Sequence, residues 1–188
     1  VGSEMCIRDR YRISMQRVLL GEAMVHSEVL EGLSENTSLI AMYLYDETEL
    51  KDYIKANEDN KLVVALAYLD NYEEALESVE DVRRSLLIAL IDRKITKYFS
   101  NYDGLVRKLE KDKYFLIMRQ SSLEALKEQK FHILEEVKTV NIGNEMTVTL
   151  SIGIGLNAAT YLQNYEYCRI AIEMALGRGG DQVAVSYT

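Results

Sequence analysis

The stretch KLVVALAYLD, residues 61–70, decides the fold. It is a continuous apolar run of strand length that ends in an aspartate. A half-exposed strand alternates apolar and polar residues, whereas a strand with apolar residues on both sides is typical of the covered interior of a sheet. The run therefore predicts a central strand that is covered on both faces.

The next long pattern is helical and covers about residues 79–99. Its aliphatic side chains recur at helical spacing and are Val79, Val82, Leu86, Leu90 and Ile91. Before it, Asp70 and Asn71 are predicted to cap the next helix, because short polar side chains satisfy the first free backbone N–H groups.

The segment KLEKDKYFLIM, residues 108–118, predicts a hairpin, because a charged tight turn separates two strand patterns. Later patterns predict a helix over 122–138, a strand over 146–155, a helix over 162–176 and a strand over 182–187. The order from Lys61 is β-α-β-β-α-β-α-β. It predicts an α+β fold of the ferredoxin-like type, in which helices flank a mixed, mainly antiparallel sheet.

The chain before Lys61 has a different pattern. Residues 11–20 and 38–45 predict two strands, 21–37 has no clear period, and 47–60 predicts a polar linker helix that Asp46 can cap. Residues 1–10, VGSEMCIRDR, lack an apolar segment and are not a secretory signal. They look like a translated sequencing-adapter peptide and are interpreted as a foreign leader.

Composition excludes several classes of protein. The 188 residues carry a formal net charge of −8, which argues against nucleic acid as a partner. The sequence contains no run of eighteen apolar residues, so it predicts no membrane-spanning helix. The cysteines, Cys6 and Cys168, and the histidines, His26 and His132, are isolated and have no metal-ligand spacing.

The element order, together with SIGIG at residues 151–155, resembles a GGDEF domain, the fold of bacterial diguanylate cyclases. In that family two divalent cations hold a triphosphate and activate a hydroxyl. The resemblance implies that one ligand comes from an aspartate at the end of the first strand and another from an acidic residue of the hairpin turn.

This sequence departs from the family at those positions. The metal-binding aspartate corresponds to Tyr68, and the Gly-Gly-Asp-Glu-Phe pattern falls on Glu110, Lys111, Asp112, Lys113 and Tyr114. Lys113 has the wrong sign for a cation site. Repulsion between its charge and a divalent ion a few ångströms away costs several kcal/mol even at an effective dielectric of roughly 20. The resemblance therefore implies a degenerate domain with no diguanylate cyclase activity, and no residue is assigned as catalytic.

Three sequence motifs narrow the choice of GGDEF subfamily: YLDNYEE at 68–74, SIGIG at 151–155 and LGRGGDQVAV at 176–185. Together they resemble the membrane-anchored cyclic-di-AMP phosphodiesterases of the GdpP type. Those proteins place two membrane helices, a PAS sensor and a degenerate GGDEF domain before a DHH/DHHA1 hydrolase.

Each part of the chain then has an expected place in such a parent. Residues 11–46 are the C-terminal part of a PAS domain, with the Asp-x-Thr ending in Asp46-Glu47-Thr48, and residues 61–188 are the degenerate GGDEF domain. The partners are the upstream PAS and membrane segment, the downstream DHH/DHHA1 domain and a second copy of the chain. The fragment itself is expected to be soluble, at the cytoplasmic face of the plasma membrane through its parent.

Three functions are open at this point. The first is a regulatory segment of the phosphodiesterase, whose manganese would belong to the absent hydrolase domain. The second is a weak magnesium-dependent ATPase, with Asp70, Asp112, Arg178, Gly179 and Gly180 as nucleotide-binding candidates. The third is a dimerisation scaffold. Against the second, the two acids suit ordinary turns, and Gly177 or Gly179 suits the end of a helix.

Overall fold

The computed structural model describes residues 10–19 and 38–187. The chain divides into two compact units, one ending at Asn57 and the other beginning at Glu58. The predictions for the leader up to residue 9, for Cys6, for His26 and for the loop over 21–37 lie outside the described residues.

The first unit contains a two-stranded antiparallel sheet. β1 (Tyr11–Leu19) pairs with β2 (Ser38–Asp46), and α1 (Thr48–Asp59) follows. The Asp46 carboxylate accepts a hydrogen bond of 2.9 Å from the backbone N–H of Thr48, as the capping prediction requires. The two predicted strands and the helix after them are therefore confirmed.

The second unit is built on a five-stranded sheet with the order β4-β5-β3-β6-β7. Its strands are β3 (Leu62–Leu69), β4 (Leu105–Lys108), β5 (Lys113–Arg119), β6 (Leu150–Leu156) and β7 (Val183–Tyr187). Neighbouring strands are antiparallel except β6 and β7, which are parallel. The predicted mixed, mainly antiparallel sheet with the 61–70 strand at its centre is confirmed.

Helices cover both faces of this sheet. They are α2 (Tyr72–Glu77), α3 (Asp81–Ser100), α4 (Gln120–Glu128), α5 (Ile133–Lys138) and α6 (Tyr161–Gly177). On one face, Val63 and Ala65 of β3 join the core that includes Ile91 of α3, and on the other, Leu66 packs with Cys168 of α6. The continuous apolar run is thus explained by burial on both sides. Among the described residues no helix is long and apolar enough to cross a membrane.

The glycines of SIGIG allow α6 to approach β6 closely. A Cβ atom on Gly155 would lie 1.9 Å from the backbone oxygen of Asn164, and one on Gly153 would lie 2.5 Å from the backbone nitrogen of Ile172. Real Cβ atoms do not come so close to backbone, so no larger residue fits without moving the helix. The motif is therefore a packing element of the fold.

The helix predicted over about 79–99 is present as α3, but only some of the aliphatic residues named for it are buried. α3 buries Leu87, Ile91 and Ile95, whereas Val82 is 89% exposed and Leu86 is 51% exposed. The helix carries two aliphatic rows, and its rotation about its own axis, set by the sheet, decides which row is buried.

The predicted helix over 122–138 is two helices, α4 and α5, and the chain turns between them. Lys130 and Phe131 have positive φ angles of 53° and 49° there. The Phe131 N–H donates to the Leu126 carbonyl at 2.9 Å, which closes the end of α4. Neither residue type signals such a turn.

Candidate functional site

The hairpin turn lies against the end of the central strand. β5 pairs with β3 so that Lys113 is opposite Tyr68. The Leu69 N–H donates to the Asp112 carbonyl at 2.9 Å, which fixes the turn to the strand end. The two positions to which the resemblance assigns metal ligands are therefore neighbours in the sheet.

Lys113 is held in place by two partners. Its Nζ lies 2.6 Å from Oε2 of Glu110 and 5.4 Å from the centre of the Tyr68 ring. The hydrogen bond to Glu110 is the main reason that the pKa of Lys113 is raised, so the ammonium stays protonated. The Lys113 ammonium thus lies between the Glu110 carboxylate and the Tyr68 ring, at the place where the family pattern has its two metal ligands.

Tyr114, the last residue of the altered pattern, joins the hairpin to α3. Its ring is buried, and its hydroxyl donates to Oδ1 of Asp92. Lys108 Nζ lies 2.8 and 2.9 Å from the two oxygens of the same carboxylate. Burial, followed by the interaction with Asp92, raises the pKa of the Tyr114 hydroxyl. No pattern in the sequence singles out Asp92, which lies on a different element.

An acidic cleft of about 610 Å³ lies beside the turn. It brings together Asp70 and Asp112, the two acids among the nucleotide-binding candidates. The cleft is lined by Leu69, Asp70, Tyr72, Glu73, Glu74, Glu110, Lys111 and Asp112. Five of these eight residues are acidic and one is basic, so a bare phosphate would meet net repulsion there.

Asp70 also anchors the loop after α6. Its Oδ2 accepts a hydrogen bond of 2.8 Å from the backbone N–H of Asp181. A Cβ atom on Gly180 would lie 2.7 Å from the Asp70 carboxyl carbon, and Gly180 has a φ of +76°, so both space and backbone conformation require glycine. Asp181 in turn pairs with Lys138, with Nζ 2.6 Å from Oδ2. Asp70 and Gly180 are therefore in contact, and Asp70 has a structural partner.

The prediction that Asp70 and Asn71 cap a helix is wrong. Asn71 occupies the N-cap position of α2, but its side chain makes no capping hydrogen bond. Instead its Nδ2 donates to the Thr147 carbonyl at 2.6 Å and its Oδ1 accepts from the Thr149 N–H at 3.0 Å. The side chain fastens the start of α2 to the segment that leads into β6.

The remaining candidates lie at the end of α6. Arg178 is the exposed C-cap of that helix, and Gly179 has a φ of +105°. The Gly179 N–H donates to the Leu176 carbonyl at 3.0 Å, which is the geometry of a helix end. Neither residue is among those that line the acidic cleft. Within the described part of the chain, no three His, Cys, Asp or Glu side chains are grouped as metal ligands would be.

Comparison with known proteins connects this geometry to a family. The family model described as "Cyclic-di-AMP phosphodiesterase GdpP-like, GGDEF domain" matches residues 67–188. The cyclic-di-AMP phosphodiesterase PdeA of Listeria monocytogenes is 34% identical over 144 residues, which are 77% of this chain and 22% of that protein. GdpP of Geobacillus thermodenitrificans is 30% identical over the same shares. The chain thus spans about 22% of the length of these curated relatives.

Solved structures agree on the fold. The active GGEEF domain of a diguanylate cyclase from Vibrio cholerae superposes with a TM-score of 0.56 at 11% identity, covering 72% of this chain and 89% of that one. At an identity this low, the superposition supports a common fold and nothing more about function. The chain belongs to the family of GdpP-like GGDEF domains of cyclic-di-AMP phosphodiesterases.

Proposed function

We propose that this chain is a regulatory segment of a cyclic-di-AMP phosphodiesterase and that its GGDEF-like domain does not join two GTP molecules. The observation that carries the proposal is the position of the Lys113 ammonium, 2.6 Å from Glu110 and over the ring of Tyr68. Membership of the GdpP-like family and the much greater length of the relatives support the regulatory part.

The electrostatics of the turn support the loss of cyclase chemistry. A divalent cation needs converging oxygen ligands, and here a phenol and an ammonium stand at the two ligand positions. Glu110 is the nearest carboxylate to the ammonium and is already paired with it. A cation would have to displace Lys113 before it could bind, and the raised pKa of Lys113 makes deprotonation at neutral pH a poor route.

An assay for cyclic di-GMP tests the catalytic part of this proposal. The full chain is incubated with GTP and Mg²⁺, and products are separated by chromatography. We expect no cyclic di-GMP. A matched variant with Tyr68→Asp and Lys113→Glu restores two acids to the site and measures how far the remaining scaffold can support metal binding. Product formation by the unaltered chain contradicts the proposal.

For the regulatory part, we propose that a PAS sensor and membrane segment precede this domain in the parent and that a DHH/DHHA1 hydrolase follows it. β1 and β2 suit the end of such a sensor, because Met15 and Met42 in the ribbon are 66% and 57% exposed and need a covering partner. α1 has no buried residue, so a change in its contacts disrupts no core. Regulation requires two states that differ in such contacts.

Hydrolysis by the parent tests the regulatory part. The rate of cyclic-di-AMP hydrolysis is compared between the parent and a variant with Ala56→Gly and Lys55→Gly, which weakens α1 through lost helix propensity. We expect a change of severalfold in rate, with the isolated hydrolase as reference. An unchanged rate, with α1 shown by hydrogen exchange to be loosened, contradicts regulation through this helix.

The second candidate, a weak magnesium-dependent ATPase, is favoured by one observation: Asp70 and Asp112 line the same cleft. Calorimetric titration of the chain with ATP and Mg²⁺ tests it. Asp112→Asn is the better probe, since Asp70 also holds the Asp181 loop. If the cleft binds ATP, the heat of binding is lost in Asp112→Asn and kept in Glu128→Gln. If no heat of binding is measured at millimolar ATP, the ATPase candidate is excluded and only the regulatory function remains.

A further inference from the structure

A second cavity, of about 500 Å³, lies at the opposite end of β3 from the hairpin turn. It forms where β3 begins, β6 ends and α6 begins, and its volume is in the range of small-molecule sites. The described residues that line it include Lys61 but no Asp or Glu, whereas five of the eight residues around the acidic cleft are acidic. In a chain with a formal net charge of −8, an anion in this cavity thus meets no carboxylate of the wall.

The start of α6 supplies hydrogen-bond donors to this cavity. Thr160 is the N-cap of the 17-residue helix, and its side chain accepts from the backbone N–H of Gln163 at 3.2 Å. The N–H groups of Tyr161 and Leu162 form no hydrogen bond with a described residue, because the first turn of a helix has no carbonyls four residues earlier. Thr160 and Tyr161 both line the cavity. Free N–H groups and the positive end of the helix dipole favour an anion beside them.

A buried side chain adds a donor of its own. Asn164 is only 7% exposed, and its Oδ1 accepts a hydrogen bond of 3.0 Å from the Ala158 N–H. That bond fixes which end of the amide is the oxygen, so Nδ2 is the free end. Nδ2 has no hydrogen-bond partner among the described residues, yet it is not among their fully enclosed polar atoms that lack a partner. It therefore reaches open space, and the open space that Asn164 lines is this cavity.

Lys61 supplies a cation to the same wall. Its Nζ lies 2.6 Å from Oε1 of Glu58, and both side chains are 54% exposed. An exposed pair of this kind contributes at most about 1 kcal/mol, so the ammonium is able to turn to a more highly charged anion. A phosphate group fits the whole set, because its several oxygens accept from backbone N–H groups, an amide and an ammonium together.

We propose that this cavity binds a phosphate group, with Asn164 Nδ2, the first N–H groups of α6 and Lys61 Nζ as its donors. Leu62, Val63 and Leu156 belong to the same wall and offer contacts to the apolar part of a small phosphorylated molecule. The inference goes beyond the proposed function and does not depend on it, because the cavity and the hairpin turn lie at opposite ends of β3.

Titration of the isotope-labelled full chain with sodium phosphate, followed by proton–nitrogen correlation NMR, tests the proposal. Sodium chloride at the same ionic strength is the reference. We expect the backbone signals of Tyr161 and Leu162 and the side-chain amide signal of Asn164 to shift and saturate with phosphate and not with chloride. Phenyl phosphate distinguishes the two sources of the group: tighter binding than phosphate identifies a small organic phosphate as the ligand, and equal binding identifies inorganic phosphate.

Asn164→Asp is the sharpest variant, because its carboxylate still accepts from the Ala158 N–H but replaces the free donor with a charged acceptor. We expect the dissociation constant for phosphate to rise at least about tenfold. Lys61→Gln removes the ammonium at an exposed position without burying a charge, and it should raise the constant severalfold even if Asn164→Asp fails to fold. Lys111→Gln is the matched control, because it removes the basic residue of the acidic cleft and should leave the constant unchanged.

Three results overturn the proposal. In the first, phosphate and chloride shift the same signals equally, so that only ionic strength acts. In the second, the signals that shift with phosphate surround Lys111 and not the start of α6. In the third, Lys61→Gln and Asn164→Asp are folded by circular dichroism and bind phosphate as tightly as the unaltered chain.

Discussion

The contact between β6 and α6 and the hairpin between β4 and β5 belong to one sheet, but different physical constraints act on their side chains. At β6, Gly153 and Gly155 let helix backbone approach so closely that a methyl group cannot be added. Beside the hairpin turn, Tyr68 and Lys113 stand where the GGDEF pattern has acids, and the Lys113 ammonium lies over the Tyr68 ring and pairs with Glu110. The space at Gly153 and Gly155 admits no larger residue. The partly exposed ion pair of Lys113 and Glu110, in contrast, can be replaced by another pair of surface side chains.

The glycines of SIGIG thus serve packing, whereas the side chains of the hairpin turn are not fixed by packing. The sheet and α6 cannot pack as they do without the glycines of SIGIG. The side chains of Lys113 and Glu110 in the turn are partly exposed, so their replacement should cost the fold little. Substitutions in the two regions should therefore differ in their effect on the free energy of unfolding.

Gly155→Ala should destabilise the domain most. Its Cβ would lie 1.9 Å from the Asn164 backbone oxygen, so the helix must move, and overpacking of this kind costs about 3 kcal/mol or more. Gly177→Ala is the control, because nothing lies within 4 Å of its added Cβ. Urea unfolding measures both. Equal stability of the two variants breaks the comparison.

Tyr114→Phe should cost about 2 kcal/mol, since it removes a buried hydrogen bond to the charged Asp92. Tyr98→Phe is matched to it. By distance and angle, the buried Tyr98 hydroxyl has no hydrogen-bond partner among the described residues, so its removal should not lower the free energy of unfolding. Chemical denaturation at pH 7 measures the free energy of unfolding of both variants. A larger cost for Tyr98→Phe would mean that its hydroxyl is bonded.

Tyr98 should also make the free energy of unfolding depend on pH. Burial raises the pKa of Tyr98 to about 12. Because the folded pKa lies above the unfolded value near 10, the contribution of the neutral phenol is full below pH 10 and is lost as the pH rises through 12. Between pH 8 and 11, the unaltered chain should lose about 1 kcal/mol more stability than Tyr98→Phe. Parallel losses in the two proteins would contradict the raised pKa.

Lys113→Met should have the smallest effect, below about 1 kcal/mol, because the pair with Glu110 is partly exposed. Thermal unfolding at low and high salt measures it, with Lys127→Met as the control for an ordinary surface pair with Glu124. A loss as large as that of Gly155→Ala would show that the turn is a packing element, which breaks the contrast between the two regions.

Sequence patterns predict the central strand and the element order because burial on both faces and helical spacing are local properties. They do not predict which aliphatic row of α3 is buried, since Val82 and Ile91 are equally apolar. The break at Lys130 and Phe131 carries no glycine or proline signal.

At the candidate site, the resemblance assigns metal-ligand positions to Tyr68 and Lys113, and the pairing of β3 with β5 places these two residues opposite each other. The contacts that hold the site join distant residues. Asp70 and Asp181 are 111 residues apart, and Asn71 and Thr149 are 78 apart. No local pattern reveals such pairs, because they depend on the completed sheet.

The ammonium of Lys113 is expected to exclude a divalent cation from the hairpin site. Electron paramagnetic resonance of Mn²⁺ with GTP tests it directly, because bound Mn²⁺ loses the sharp signal of the free ion. We predict that adding the chain leaves the signal of the Mn²⁺–GTP mixture unchanged, and that Tyr68→Asp with Lys113→Glu reduces it. A decrease with the unaltered chain that disappears on replacing Asp112 would contradict the account.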